Sequence, residues 1–130
     1  MEEESIALMN HTEKKRIVLV VDDERKVLRF MEIDLKLRGF EVITTTSGEE
    51  ALELIESAKP DIILLDIVMA GTDGFEVLRR LRTYSPLPVI AFSASIANYD
   101  EAMRLGANIF ISKPFKINDM VRNINTLLNQ

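Results

Sequence analysis

Apolar residues along this chain follow two alternating rhythms. Residues 17–21, 62–65 and 89–92 are short unbroken runs of branched and large apolar side chains, the pattern of strands covered on both faces in a parallel sheet. Residues 41–45 alternate and predict a strand nearer the sheet edge, and residues 108–112 predict a fifth strand. The second rhythm is helical. Over 25–38, Val27, Met31 and Leu35 recur at i, i+4 and i+8, and Gly39 is placed to end the helix in the left-handed conformation. Ser47-Gly48-Glu49-Glu50 fits a capping box, with the serine oxygen taking a free N–H and Glu50 reaching back. The helix it opens aligns Ala51, Leu54, Ile55 and Ala58 and stops before Pro60. A third helix over 75–82 turns Leu78 and Leu81 inward. Asn98-x-x-Glu101 reads as the cap of a short helix striped by Tyr99, Ala102 and Met103 and ended by Gly106. The last helix, 117–128, lines up Ile117, Met120, Val121, Ile124, Leu127 and Leu128. Strand and helix alternate five times with short links, which demands parallel strands and right-handed crossovers.

Composition narrows the class. With 130 residues, 47% of them hydrophobic, the chain has the size of one compact domain, expected over 16–130 behind a polar, charged tail over 1–15. The aliphatic runs are far too short to insert into a bilayer, so a cytoplasmic protein is expected. The absence of cysteine excludes disulfides and thiolate metal sites, and a single histidine, His11, argues against zinc or histidine-based catalysis. A net charge of −5 argues against direct nucleic-acid binding, which needs a basic face.

The chemistry gathers at strand ends. The run 62–65 stops at Asp66 and gives way to Ala70-Gly71-Thr72-Asp73-Gly74, while the first strand runs into Asp22-Asp23-Glu24. Asp22, Asp23, Asp66, Ser93 and Lys113 each stand within a residue or two of a strand's C-terminal end, the edge where open α/β sheets bind ligands. Carboxylates crowded there repel one another and raise each other's pKa unless a cation joins them. An all-oxygen set without histidine or cysteine suits a hard ion, Mg²⁺ above all. Lys113 adds a positive charge and Ser93 a hydroxyl donor.

These residues carry a resemblance. Val21-Asp22-Asp23-Glu24, Leu65-Asp66-Ile67-Val68-Met69 with Asp73-Gly74, Ser93-Ala94 and Lys113-Pro114-Phe115, in that order, resemble the receiver (CheY-like) domain of two-component response regulators over 16–130. The resemblance implies a flavodoxin-like (βα)5 doubly wound sandwich with a parallel five-stranded sheet in order 2-1-3-4-5. It implies that Asp66 is the phosphoacceptor, taking a phosphoryl group from a sensor histidine kinase or histidine phosphotransfer protein. Asp23 and Asp66 would ligate Mg²⁺ directly, Asp22 largely through water, and the backbone carbonyl of Val68 would complete the protein's share. Lys113 would pair with the phosphoryl group across a cis Lys113-Pro114 bond. Ser93 would move toward that group and free space for Phe110 to turn, switching a face that binds a downstream protein target or a fused output domain. Asn118, Asn123 and Asn125 on the last helix spell no charged dimer code, so a monomer or weak homodimer is expected.

Against the family's pattern, Ala70 stands where a proline usually follows the methionine, so a less rigid loop is expected. Val68 and Ser95 occupy positions that tune phosphoryl lifetime; an apolar Val68 cannot orient a water, which implies slow self-dephosphorylation. The stretch 93–106 is shorter than in relatives, implying a truncated fourth helix or tightened loop. A scaffold of the same fold that binds a partner without phosphorylation is the alternative, disfavoured by the complete acidic set and Lys113. A flavodoxin-type electron carrier fails because Asp22-Asp23-Glu24 would repel a flavin phosphate. An aspartyl phosphatase fails because Val68, not an acid, stands two residues beyond Asp66.

Overall fold

The computed structural model of the chain describes residues 14–129, so most of the expected tail, residues 1–13, lies outside the described residues. Strands β1 (Ile17–Val21), β2 (Glu41–Thr45), β3 (Ile62–Asp66), β4 (Val89–Ser93) and β5 (Ile109–Ser112) form one parallel sheet in the order β2-β1-β3-β4-β5. The helices are α1 (Arg25–Leu37), α2 (Gly48–Ala58), α3 (Gly74–Leu81), α4 (Tyr99–Arg104) and α5 (Ile117–Leu128), with a single 3₁₀ turn, Ile96–Asn98, leading into α4. This is the expected flavodoxin-like sandwich, with the alternating strand β2 at one edge.

Side chains alternate across a strand, and here each side meets its own helices. Val18, Val20, Ile62 and Leu64 pack with Leu28, Met31 and Leu35 of α1 and Met120 and Ile124 of α5. Leu19, Val21, Ile63 and Leu65 face the other way, onto Ala51 and Ile55 of α2 and Val77, Leu78 and Leu81 of α3. Strands β3 and β4 are buried at every position, which is why they read as unbroken apolar runs, whereas edge strand β5 is only half-buried. Each large side chain taken fully out of water contributes about 1.5–3 kcal/mol, so the central strands anchor the sheet on which the site is mounted.

Three local expectations change. Leu28 takes the buried position in α1 and Val27 is half-buried; in α2, Leu52 joins the core while Ala58 stays at its margin. The capping box is half made: Ser47 Oγ accepts from the Glu50 N–H at 3.2 Å, but the Ser47 N–H donates to Thr45 Oγ1 at 3.1 Å, leaving nothing for Glu50 to take. Asn98 does not cap α4; its side chain is spent elsewhere. Gly39 has φ +97°, the left-handed stop expected there, and Gly106, expected to end α4, takes φ +108°.

Candidate functional site

Parallel pairing sets Val21 beside Leu65, Asp66 beside Phe92 and Ser93 beside Ser112, so Asp22, Asp66, Ser93 and Lys113 come to one edge of the sheet. Asp22 is fully buried and Asp66 only 3% exposed, while Asp23 faces solvent. One carboxylate oxygen from each of Asp22, Asp23 and Asp66 lies within 4.8 Å of the others. Lys113 reaches into this cluster from the end of β5, its Nζ 3.3 Å from Asp22 Oδ2 and 3.4 Å from Asp66 Oδ2. The ammonium lies 5.1 Å from the centroid of the Phe92 ring, and Phe115 packs edge-on against that ring at 5.7 Å. The Lys113-Pro114 bond is cis, as the resemblance implies.

Electrostatics follow from this crowding. Burial, with the negative charge of Asp22 beside it, pushes the Asp66 carboxyl up from 3.8 to about 6, although Lys113 and the Val68 backbone N–H pull the other way. Burial lowers the Lys113 pKa, but the charges of Asp22 and Asp66 outweigh it and hold the ammonium above the ordinary lysine value. Asp66 is therefore mostly ionised at neutral pH. The convergence of three carboxylates on one point, with two of them buried and no nitrogen or sulfur donor among them, fits a hard divalent cation such as Mg²⁺.

The loop after β3 is moulded against its surroundings. A Cβ on Gly74 would lie 2.5 Å from the Asp66 carbonyl oxygen and 2.6 Å from Ile67 Cα, so only glycine lets α3 begin this close to the acid. Gly48 makes the same allowance for the Thr72 carbonyl, at 2.4 Å. Asp73 caps α3 by accepting the Glu76 N–H at 3.0 Å. Thr72 Oγ1 donates to Glu49 Oε2 at 2.9 Å, and Arg80 holds the same oxygen at 2.6 Å. The Ala70 N–H donates to Asp23 Oδ2 at 3.2 Å. A proline could not make that bond, so the departure from the family's pattern gains a tie to the acidic cluster.

The remaining expected residues are placed as follows. Val68 projects a side chain 63% exposed. Ser93 is fully buried, and its Oγ accepts from Asn98 Nδ2 at 2.9 Å and from the Ser95 N–H at 3.1 Å. Phe110 is half-buried, with the Tyr99 ring edge-on against it at 5.6 Å and 85°. The fourth helix is short, α4 spanning only Tyr99–Arg104. Sequence reasoning missed Asn98, the glycine approaches and the Thr72–Glu49–Arg80 link. The last two left no local signal, and Asn98 gave one that pointed to a helix cap.

The family model described as the response regulator receiver domain matches residues 18–125. The chain belongs to this family. The receiver is similar to the solved receiver domain of Francisella response regulator 1452, at 32% identity and a TM-score of 0.83 over 88% of this chain and 98% of that one. The chemotaxis response regulator CheY4 of Vibrio cholerae shares 28% identity with a TM-score of 0.82, covering 88% of this chain and all of the other (100%). The response regulator TrrA of Thermotoga maritima, solved in complex with Mg²⁺ and BeF, shares 29% identity with a TM-score of 0.80 over 87% of this chain and 99% of its own. A CheY-like receiver of two-component systems is thus what the fold supports. Among the described residues, no helix is long and apolar enough to cross a membrane.

Proposed function

We propose that this receiver accepts a phosphoryl group on Asp66 from a phosphohistidine of a sensor kinase or phosphotransfer protein and passes the signal on through an altered protein-binding face. The observation that carries the reading is the position of Asp66, buried, ionised at neutral pH and shared between the acidic cluster and the Lys113 ammonium. An Asp66 carboxylate oxygen attacks phosphorus as the donor's N–P bond breaks, and the imidazole departs with the electron pair of that bond. Lys113 balances charge on the phosphoryl oxygens, and Ser93 supplies a hydroxyl proton to one of them. Asp22, Asp23, Asp66 and the Val68 carbonyl would hold Mg²⁺, which when bound supplies further positive charge beside the phosphoryl group. Phe110 turns as Ser93 moves, biasing the β5 and α4 region between two arrangements.

The exposed, apolar Val68 offers no polar group to aim a water at the aspartyl phosphate, which supports slow self-dephosphorylation. A protein donor would approach over the apolar groove of about 500 Å³ that opens beside Lys113, lined by Val27, Phe30, Pro114 and Phe115.

Intact mass after incubation with Mg²⁺ and a small acyl phosphate tests the reading. The parent should gain one phosphoryl group and Asp66→Asn none. A parent that stays unmodified while a control receiver is labelled would sink the relay and favour the scaffold. With a phosphohistidine protein as donor, Phe30→Asp should slow labelling while leaving labelling by the small donor unchanged.

A further inference from the structure

The two residues expected to switch are each gripped by one of two consecutive residues at the start of α4. Ser93 Oγ accepts from Asn98 Nδ2 and from the Ser95 N–H, so both acceptor positions of the hydroxyl are taken. Next along the chain, Tyr99 sets its ring edge against Phe110. Asn98 is not free to follow a moving serine. Its backbone sits in the helical region at φ −80° and ψ −6°, and its N–H donates to the Ser95 carbonyl at 3.1 Å, fixing it as the last residue of the 3₁₀ turn, directly before α4. Neither grip is core packing: Asn98 is half-buried and Tyr99 is 45% exposed.

We propose that Asn98 and Tyr99 form a latch that holds Ser93 and Phe110 in the unphosphorylated arrangement and so sets how readily Asp66 takes a phosphoryl group; this rests on the phosphoacceptor reading above. Moving Ser93 Oγ toward a phosphoryl oxygen stretches and breaks the Asn98 bond, and turning Phe110 inward strips its ring from Tyr99. Both contacts therefore belong to the resting state alone, and only contacts that differ between two states shift the balance between them. Asn98 and Tyr99 are positioning residues, acting through Ser93 and Phe110 without touching the reacting atoms. The short link from Ser93 to α4 makes this possible, since it brings the amide of residue 98 back onto the end of its own preceding strand.

The test compares rates of phosphorylation by a subsaturating acyl phosphate with Mg²⁺, followed by intact mass, in the full chain and in Asn98→Ala, Tyr99→Ala and Tyr99→Phe. Releasing one ordinary hydrogen bond or aromatic contact from the resting state should speed labelling about threefold to tenfold in each alanine variant. Tyr99→Phe keeps the ring contact and should label at the parent rate. A merely structural role for these side chains would slow labelling or leave it alone, so a gain identifies the latch.

A second readout uses tyrosine emission. The chain has two tyrosines and no tryptophan, so Tyr84→Phe leaves Tyr99 as the sole emitter. Its emission should change on labelling, and in an Asn98→Ala background the unlabelled protein should already have moved toward the labelled value. Folded alanine variants that label no faster than a labelled parent would overturn the latch and leave the phosphoacceptor standing. A parent that does not label at all would overturn both.

Discussion

The two ends of this sheet are built from the same kinds of side chain and held in opposite ways. At the N-terminal ends of the strands Asp61, Asn108 and Arg82 each find hydrogen-bonding partners. Asp61 Oδ2 accepts the Ile17 N–H at 2.7 Å, and Asn108 Oδ1 accepts both the Val89 N–H at 2.8 Å and Arg82 Nη2 at 3.1 Å. Arg82 also donates to the carbonyls of Gly106 and Ser85, each at 3.0 Å. At the C-terminal ends, Asp22, Asp23 and Asp66 crowd together with one ammonium between two of them, and Asp66 is pushed up to about 6. What separates the ends is that Asp61, Arg82 and Asn108 each meet neutral hydrogen-bonding partners, whereas three carboxylates at the other end share a single ammonium. The matched end holds strands in register; the mismatched end keeps an electrostatic deficit that a cation or an added phosphoryl group can use.

The contrast can be broken most severely at Lys113. Lys113→Met removes the ammonium shared by Asp22 and Asp66 and should slow labelling by acyl phosphate about 10²–10³-fold, the usual effect of losing one charge-stabilising donor. A loss of less than tenfold in single-turnover rates would make the lysine a bystander.

Asp66→Asn tests the deficit itself. The native pKa of Asp66 lies above its ordinary value of 3.8, so folding favours the protonated acid. That contribution is full below about pH 4 and is lost as pH rises through about 6, the direction that linkage requires when the native state binds the proton more tightly. In metal-free buffer at neutral pH, Asp66→Asn should therefore be more stable than the parent by up to about 3 kcal/mol, with the gain fading toward pH 4. Urea unfolding across that pH range checks it, and an asparagine variant less stable than the parent at pH 7.5 would contradict the cost of burying the Asp66 charge beside Asp22. Mg²⁺ should raise the parent's midpoint more than the variant's.

The smallest effect is expected at the matched end. Asn108→Ala deprives the Val89 N–H and Arg82 of their acceptor and should destabilise the fold by about 1–2 kcal/mol while leaving the labelling rate of the folded protein unchanged. A change in labelling rate would mean that the two ends are coupled through β4 or β5.

Much of this was legible along the chain because it depends on local rhythm. The apolar runs and the alternation of β2 located all five strands to within a residue, since burial on both faces excludes polar residues from the central runs; Asp66 joined β3, Ser93 joined β4 and Asn108 left β5. The carboxylates and Lys113 could be assigned to one edge because parallel strands share the direction of their C-terminal ends. Asn98 was misread because Asn-x-x-Glu carries the same local code whether or not the amide caps its helix; the nearby Ser93 hydroxyl captured it instead. Gly74 stood out along the chain only as part of the loop after Asp66, yet it is required by an approach in which a Cβ would lie 2.5 Å from the Asp66 carbonyl oxygen, and no local pattern encodes that.

The succession of strands and helices, the burial of the central strands and the identity of the acidic set were thus determined by the chain itself, through periodicity and strand direction. Which hydroxyl each amide holds, which N–H meets Asp23, and how far Asp66 is driven from its ordinary pKa were decided only in the tertiary structure. Those quantities depend on ångström-scale distances between segments far apart in the chain, set by how helices seat on the sheet.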